Sequence, residues 1–145
     1  MQTRVYLPLT ATELRRLRES GRIEPAPMTA YAVTSDLRRD HPGADDEELE
    51  YLAFLDAAGS AAPDAVRVVA AADVDAEAVA ELLAGDAALS QVRIAIPVPK
   101  RRVASLHVAE PTNAGETSNG IPEFSWYDAT ELDVLVDLLS SRNVS

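Results

Sequence analysis

The chain has 145 residues, 47% hydrophobic and 26% charged, and a formal net charge of −11. That is enough chain for one domain with a real core, and the absence of cysteine excludes disulfides, thiolate metal sites and cysteine nucleophiles. The acidic balance works against nucleic acid and anionic membranes as partners, and no run approaches the ~20 apolar residues that a membrane span needs.

From the start of the chain, residues 4–9, "RVYLPL", alternate as a strand, and Pro8 marks its end. Thr10 with Glu13 is a Ser/Thr-x-x-Glu capping box, which opens a helix to about Ser20 with Gly21 placed to end it. After an extended proline stretch at 24–28, residues 29–34 read as a second strand. Ser35 then caps a short helix that stops at Pro42 and Gly43. Asp45 with Glu48 caps the longest helix, 45–60, whose Leu49, Leu52, Phe54 and Leu55 predict burial on most sides.

Residues 66–74 predict a third strand. Asp75 caps a predicted helix over 76–85, with Val79, Leu82 and Leu83 as its apolar stripe. Residues 92–98 and 103–108 read as the fourth and fifth strands, joined by a turn at Lys100, Arg101 and Arg102. A polar loop occupies 110–122. "EFSWY" predicts a sixth short strand, and Asp128 with Glu131 caps the last helix, to about Leu139. The strand-cap-helix phrase near both ends follows from shared capping chemistry, because the first turn of a helix has free N–H groups to satisfy. The spacings are unequal and give no internal repeat.

Taken together, "RVYLP", "AYAVT", "ELEYLAFLDAA", "RVASLHV" and "WYDATEL" resemble a family of small uncharacterised actinobacterial proteins, a domain of unknown function. The resemblance spans roughly residues 4–138 and implies a bacterial cytoplasmic protein. It brings no activity, cofactor or catalytic residue with it. One lysine against twelve arginines, with abundant alanine, also fits a high-GC genome. No charged segment followed by an apolar one opens the chain, so no signal peptide is expected and the cytoplasm is the expected location.

Catalytic signatures are sparse. The sequence contains no GxGxxG, GxxxxGK or GxSxG motif. His41 and His107 are the only histidines, and nothing in their spacing brings them together on a metal. His41 is expected to face solvent and His107 to be half-buried. Neither a catalytic residue, a metal nor a cofactor is expected. Two clusters remain as candidates. Arg15, Arg18 and Arg22, with Lys100, Arg101 and Arg102, have the chemistry to hold an anion or an acidic partner. In the last helix, six of the eight residues 132–139 are apolar, more than one buried face requires. Leu132, Val134, Leu135 and Leu138 are therefore candidates for self-association, the alternative being insertion between the sheet and helix 45–60. Trp126, just before a cap, reads as a core anchor.

The expected fold is α/β: residues 1–145 as a single domain, with a mixed β-sheet of five or six strands and helices packed on it. An α+β two-layer sandwich is the alternative. The function expected is a non-enzymatic interaction or regulatory module, binding a protein partner or itself as a homodimer. The alternative is a small enzyme or binding protein for an anionic metabolite that uses the arginine cluster.

Overall fold

Alternation in the first strand decides the layering. In the computed structural model, which describes residues 1–24, 26–60, 67–81, 88–109 and 124–142, β1 (Gln2–Leu9) turns Val5, Leu7 and Leu9 to one face and Tyr6 to the other, all buried. A strand buried on both faces needs cover on both. Thr10 ends it: its hydroxyl accepts from the Glu13 amide at 3.1 Å while Glu13 accepts from the Thr10 amide at 3.0 Å. This is the expected capping box, and it opens α1 (Ala11–Ser20). Gly21, at φ 79°, closes α1 in the left-handed conformation that glycine adopts without strain.

The chain continues through β2 (Arg22–Ile23), β3 (Met28–Ala32) and α2 (Ser35–Asp40) to α3 (Asp46–Gly59). Strand β4 (Arg67–Asp75) and β5 (Val79–Glu81) follow, then β6 (Gln91–Ile94), β7 (Val98–Pro99) and β8 (Val103–Ala109). Last come β9 (Ser125–Asp128) and α4 (Leu132–Arg142). One seven-stranded sheet has the order β5-β6-β3-β1-β4-β8-β9, and β2 with β7 makes a separate ribbon. The pairings among the described residues are all antiparallel, so the mixed sheet is refined to an antiparallel one.

Helices cover both faces, as the apolar strands require. Leu14 and Leu17 of α1 and Leu132, Leu135, Val136 and Leu139 of α4 join Val5, Leu7, Val68, Ala70 and Leu106 in the larger core cluster. Ala53, Ala57 and Ala58 of α3 join Tyr6, Tyr31, Val69 and Ala71 on the opposite face. The α/β architecture with helices packed on one sheet is therefore as expected.

Several local expectations are corrected. Residues 76–81 do not form the expected helix. Ala76–Ala78 form a 3₁₀ turn, Asp75 makes no side-chain cap bond, and Val79–Glu81 pairs with Val92–Ile94. Residues 82–85 lie outside the described part of the chain. Pairing with a sheet edge overrides the local preference of an Ala- and Glu-rich segment. This pairing is also why the sheet has seven strands where five or six were expected. The fourth strand stops at Ile94 and resumes as β7 in the separate ribbon, with Pro97 between. The short helix is capped by Thr34, whose hydroxyl accepts from the Leu37 amide at 3.0 Å, and not by Ser35. The polar loop at 110–122 lies outside the described residues.

The last helix lies on the face opposite α3, so it is not inserted between the sheet and α3. Leu132 and Leu135 point into the core at 1% and 0% exposure, while Val134 and Leu138 stay in solvent at 62% and 37%. This split predicts different costs along one helix. Leu135→Ala should lower stability by about 2–5 kcal/mol, whereas Val134→Ala should stay within about 0.5 kcal/mol. Urea unfolding of the two variants checks the assignment.

Candidate functional site

The described helices cover the sheet unevenly. Helix α3 packs against β3, β1 and β4, and β8 and β9 continue the sheet beyond it. A groove of about 550 Å³ opens between α3 and this outer part of the sheet.

The register of the strands builds its floor. Tyr6 of β1 stands opposite Ala71 of β4, and Ala71 opposite Ser105 of β8. The small side chains at 71 and 105 leave depth between larger neighbours. One pair along, His107 faces Trp126 of β9. Glu47, Glu50, Tyr51 and Phe54 all line the groove from α3. Their spacing of three and four places them on one side of the helix, while Leu49, Ala53 and Ala57 supply its buried side.

Phe54 is the hub of the aromatic wall. Its ring meets His107 edge-on with centroids 5.1 Å apart, Phe124 at 4.9 Å and Tyr6 at 6.0 Å. Tyr51 stacks near it at 6.4 Å. These separations suit favourable aromatic pairing. The outer rings are left in water: Trp126 is 61% exposed and Tyr51 52%. Trp126 is therefore not the core anchor that its position before a cap suggested. Alternation in β9 gives Tyr127 to the core cluster with α4 and leaves Trp126 to the groove.

The polar groups have defined states. Arg4 lies directly across from Asp73 and donates to both its carboxylate oxygens, at 2.7 and 3.1 Å. The Ser105 hydroxyl and His107 Nε2 are 2.9 Å apart. Burial, with the charge of Arg4, lowers the His107 pKa from its ordinary 6.5. Burial, with the carboxylate of Glu50, pushes the Tyr6 phenol up to about 12. Both side chains are thus neutral at neutral pH.

Among the described residues, the Ser–His contact lacks the other parts of a nucleophilic site. Both residues sit on one strand flanked by β4 and β9, and each has a partner on both neighbours: Ser105 with Ala71 and Asp128, His107 with Val69 and Trp126. An oxyanion would need free donors there. Among the described residues, no hydrogen bond orients the other nitrogen of His107, as a triad would require. Nor is any group of three His, Asp or Glu side chains placed to hold a metal ion among those residues. His41 bonds through Nδ1 to the Leu37 carbonyl oxygen at 3.3 Å, away from the groove lining.

The candidate basic residues are dispersed. Arg15 donates to Thr12 at 3.2 Å, Arg18 pairs with Asp137 at 3.1 Å, and Arg22 with Glu24 at 3.0 Å. The Lys100 amide bonds the Gly21 carbonyl at 2.8 Å, which brings the 100–102 turn beside Arg22. Arg101 and Arg102 line a shallow cleft of about 440 Å³ with Gln2 and Asp73, and neither Arg15 nor Arg18 reaches it. Of the groove residues, Trp126 and His107 attracted notice in the sequence, and Phe54 only as one apolar residue of the longest helix. The signal for the rest was the Glu47, Glu50, Tyr51, Phe54 spacing, hidden by the general apolarity of α3.

Residues 3–136 match the family of unknown function DUF6912, and the chain belongs to that family. No curated protein and no solved structure matches it. No helix among the described residues is long and apolar enough to cross a membrane.

The two shifted groups predict opposite pH limits. The fold disfavours protonated His107, so the unfolded chain takes up that proton first and stability falls as pH drops below 6.5. The fold also disfavours ionised Tyr6, so stability falls as pH rises from 10 towards about 12. Melting curves across pH should show a shallower acid-side loss in His107→Gln and a shallower alkaline loss in Tyr6→Phe.

Proposed function

We propose that this DUF6912 chain is a non-enzymatic binding module that works through the groove between α3 and the β8–β9 edge. One observation carries the reading. Two large aromatic side chains, Trp126 and Tyr51, stand in water on the two walls of a groove lined also by Phe54 and His107. Exposed aromatic surface costs free energy unless something covers it, and concave, largely apolar sites with a few polar groups are where small ligands bind. The arginine-cluster alternative has less support. Arg18 and Arg22 already carry carboxylates, and neither Arg15 nor Arg18 reaches the cleft of Arg101 and Arg102.

The same reading takes residues 1–145 as one domain. It takes the protein as cytoplasmic and of actinobacterial origin, on the arginine-rich, lysine-poor composition and the quoted motifs. Trp126 is the only tryptophan, so its emission reports the groove directly. A screen of small soluble fragments should give hits that shift or quench this emission. Those hits should lose affinity in Phe54→Leu and keep it in Arg15→Ala, which lies outside the groove lining. Hits that map only elsewhere would overturn the reading.

The outer face of α4 favours a second role, pairing with a second copy of the chain. Val134 and Leu138 are its exposed apolar residues, while Leu132 and Leu135 serve the core. Sedimentation velocity at micromolar concentration should show a dimer that Val134→Asp with Leu138→Asp converts to a folded monomer. A wild-type monomer under those conditions removes this role.

A further inference from the structure

We propose that the groove takes a small organic cation bearing an alkylated ammonium group, held against the faces of Trp126, Tyr51 and Phe54 and backed by Glu47 and Glu50. The inference rests on the binding-module reading and specifies its ligand.

Charge makes the first part of the argument. The one arginine in the lining, Arg4, is already neutralised by two bonds to Asp73. His107 is uncharged at neutral pH. Glu47 and Glu50 form no ion pair with any described residue. With Arg4 and Asp73 offsetting each other, Glu47 and Glu50 leave the described lining acidic, although Glu50 also lies within reach of the Arg4 charge. The first-turn position of Glu47 suits the helix dipole. Glu50 lies a turn further on, half-buried, where that account does not reach. Its charge is felt in the groove, since it helps raise the Tyr6 phenol.

The aromatic groups make the second part. Ring faces carry negative potential and attract cations, tryptophan most strongly. Trp126 and Tyr51 are exposed, and Phe54, stacked near Tyr51, lines the same groove. An anion would meet Glu47 and Glu50. A neutral aromatic would stack but leave both carboxylates partly desolvated and unpaired, which costs free energy. A compact ammonium is held back by its hydration. Alkyl groups on the nitrogen reduce that hydration and match the apolar wall. The chain's net charge of −11 also concentrates cations near its surface.

Three probes of one shape test this: choline, its neutral isostere with a quaternary carbon in place of nitrogen, and the carboxylate derived from that isostere. Trp126 emission and calorimetry follow binding. Choline should bind at least about tenfold more tightly than the neutral isostere, and the carboxylate should not bind. Glu47→Gln with Glu50→Gln should weaken choline but not the neutral isostere. Equal binding of the neutral probe, or preference for the carboxylate, overturns the cation and leaves the groove as a binding site. Silence from all three up to roughly 50 mM, while fragments still bind beside Trp126, likewise overturns only the ligand. Silence from the fragments as well overturns the binding module with it.

Discussion

The antiparallel ladder between β1 and β4 is the constraint on which the structure depends. It runs in unbroken register from Gln2 opposite Asp75 to Leu9 opposite Val68. Both strands are buried on both faces through most of that length. Their side chains alternate, so one ladder supplies the base of two separate cores. A slip of one residue would send Tyr6 to the face of α1 and α4 and Leu7 to the face of α3. The ion pair of Arg4 with Asp73, cross-strand partners in that ladder, would be lost in the same slip.

The groove follows from this layout. The first face receives two helices, α1 and α4, and Arg18 of one reaches Asp137 of the other across their junction. The second receives α3 against β3, β1 and β4, and the sheet runs on past that helix through β8 and β9. A surface made by strands on one side and a helix flank on the other is concave. Its chemistry is set by which residues alternate onto it: Ser105 and His107 from β8, Trp126 from β9.

Much of this was legible in the residues. The three cap-x-x-Glu phrases at Thr10, Asp45 and Asp128 mark real helix or turn starts, because capping is local chemistry and needs only the neighbouring amides. The segment at 76–81 misled for the opposite reason. Ala-Glu-Ala-Val reads as helix locally, and only the distant edge at Val92–Ile94 makes it a strand. Thr34 took the cap from Ser35 by one position because its hydroxyl also reaches the Leu89 carbonyl, a contact invisible in sequence. The groove was least legible. Helix α3 has two useful sides, and a segment apolar in two directions shows no clear periodicity. Trp126 was misplaced because its surroundings depend on how far α3 extends across the sheet.

The run Ala70, Ala71, Ala72 at the centre of β4 has a consequence for how the protein can change. Each of these residues is almost wholly enclosed, yet they serve different layers: Ala70 and Ala72 face α1 and α4, and Ala71 faces α3. Added bulk at 70 or 72 would wedge two helices from the sheet. Added bulk at 71 would press on α3 in the same way, whereas added bulk at Ser105 beside it falls on the groove side and makes the groove shallower. The depth of the groove is thus adjustable independently of the larger core. A chain built this way can reshape the groove while the body that carries it stays the same.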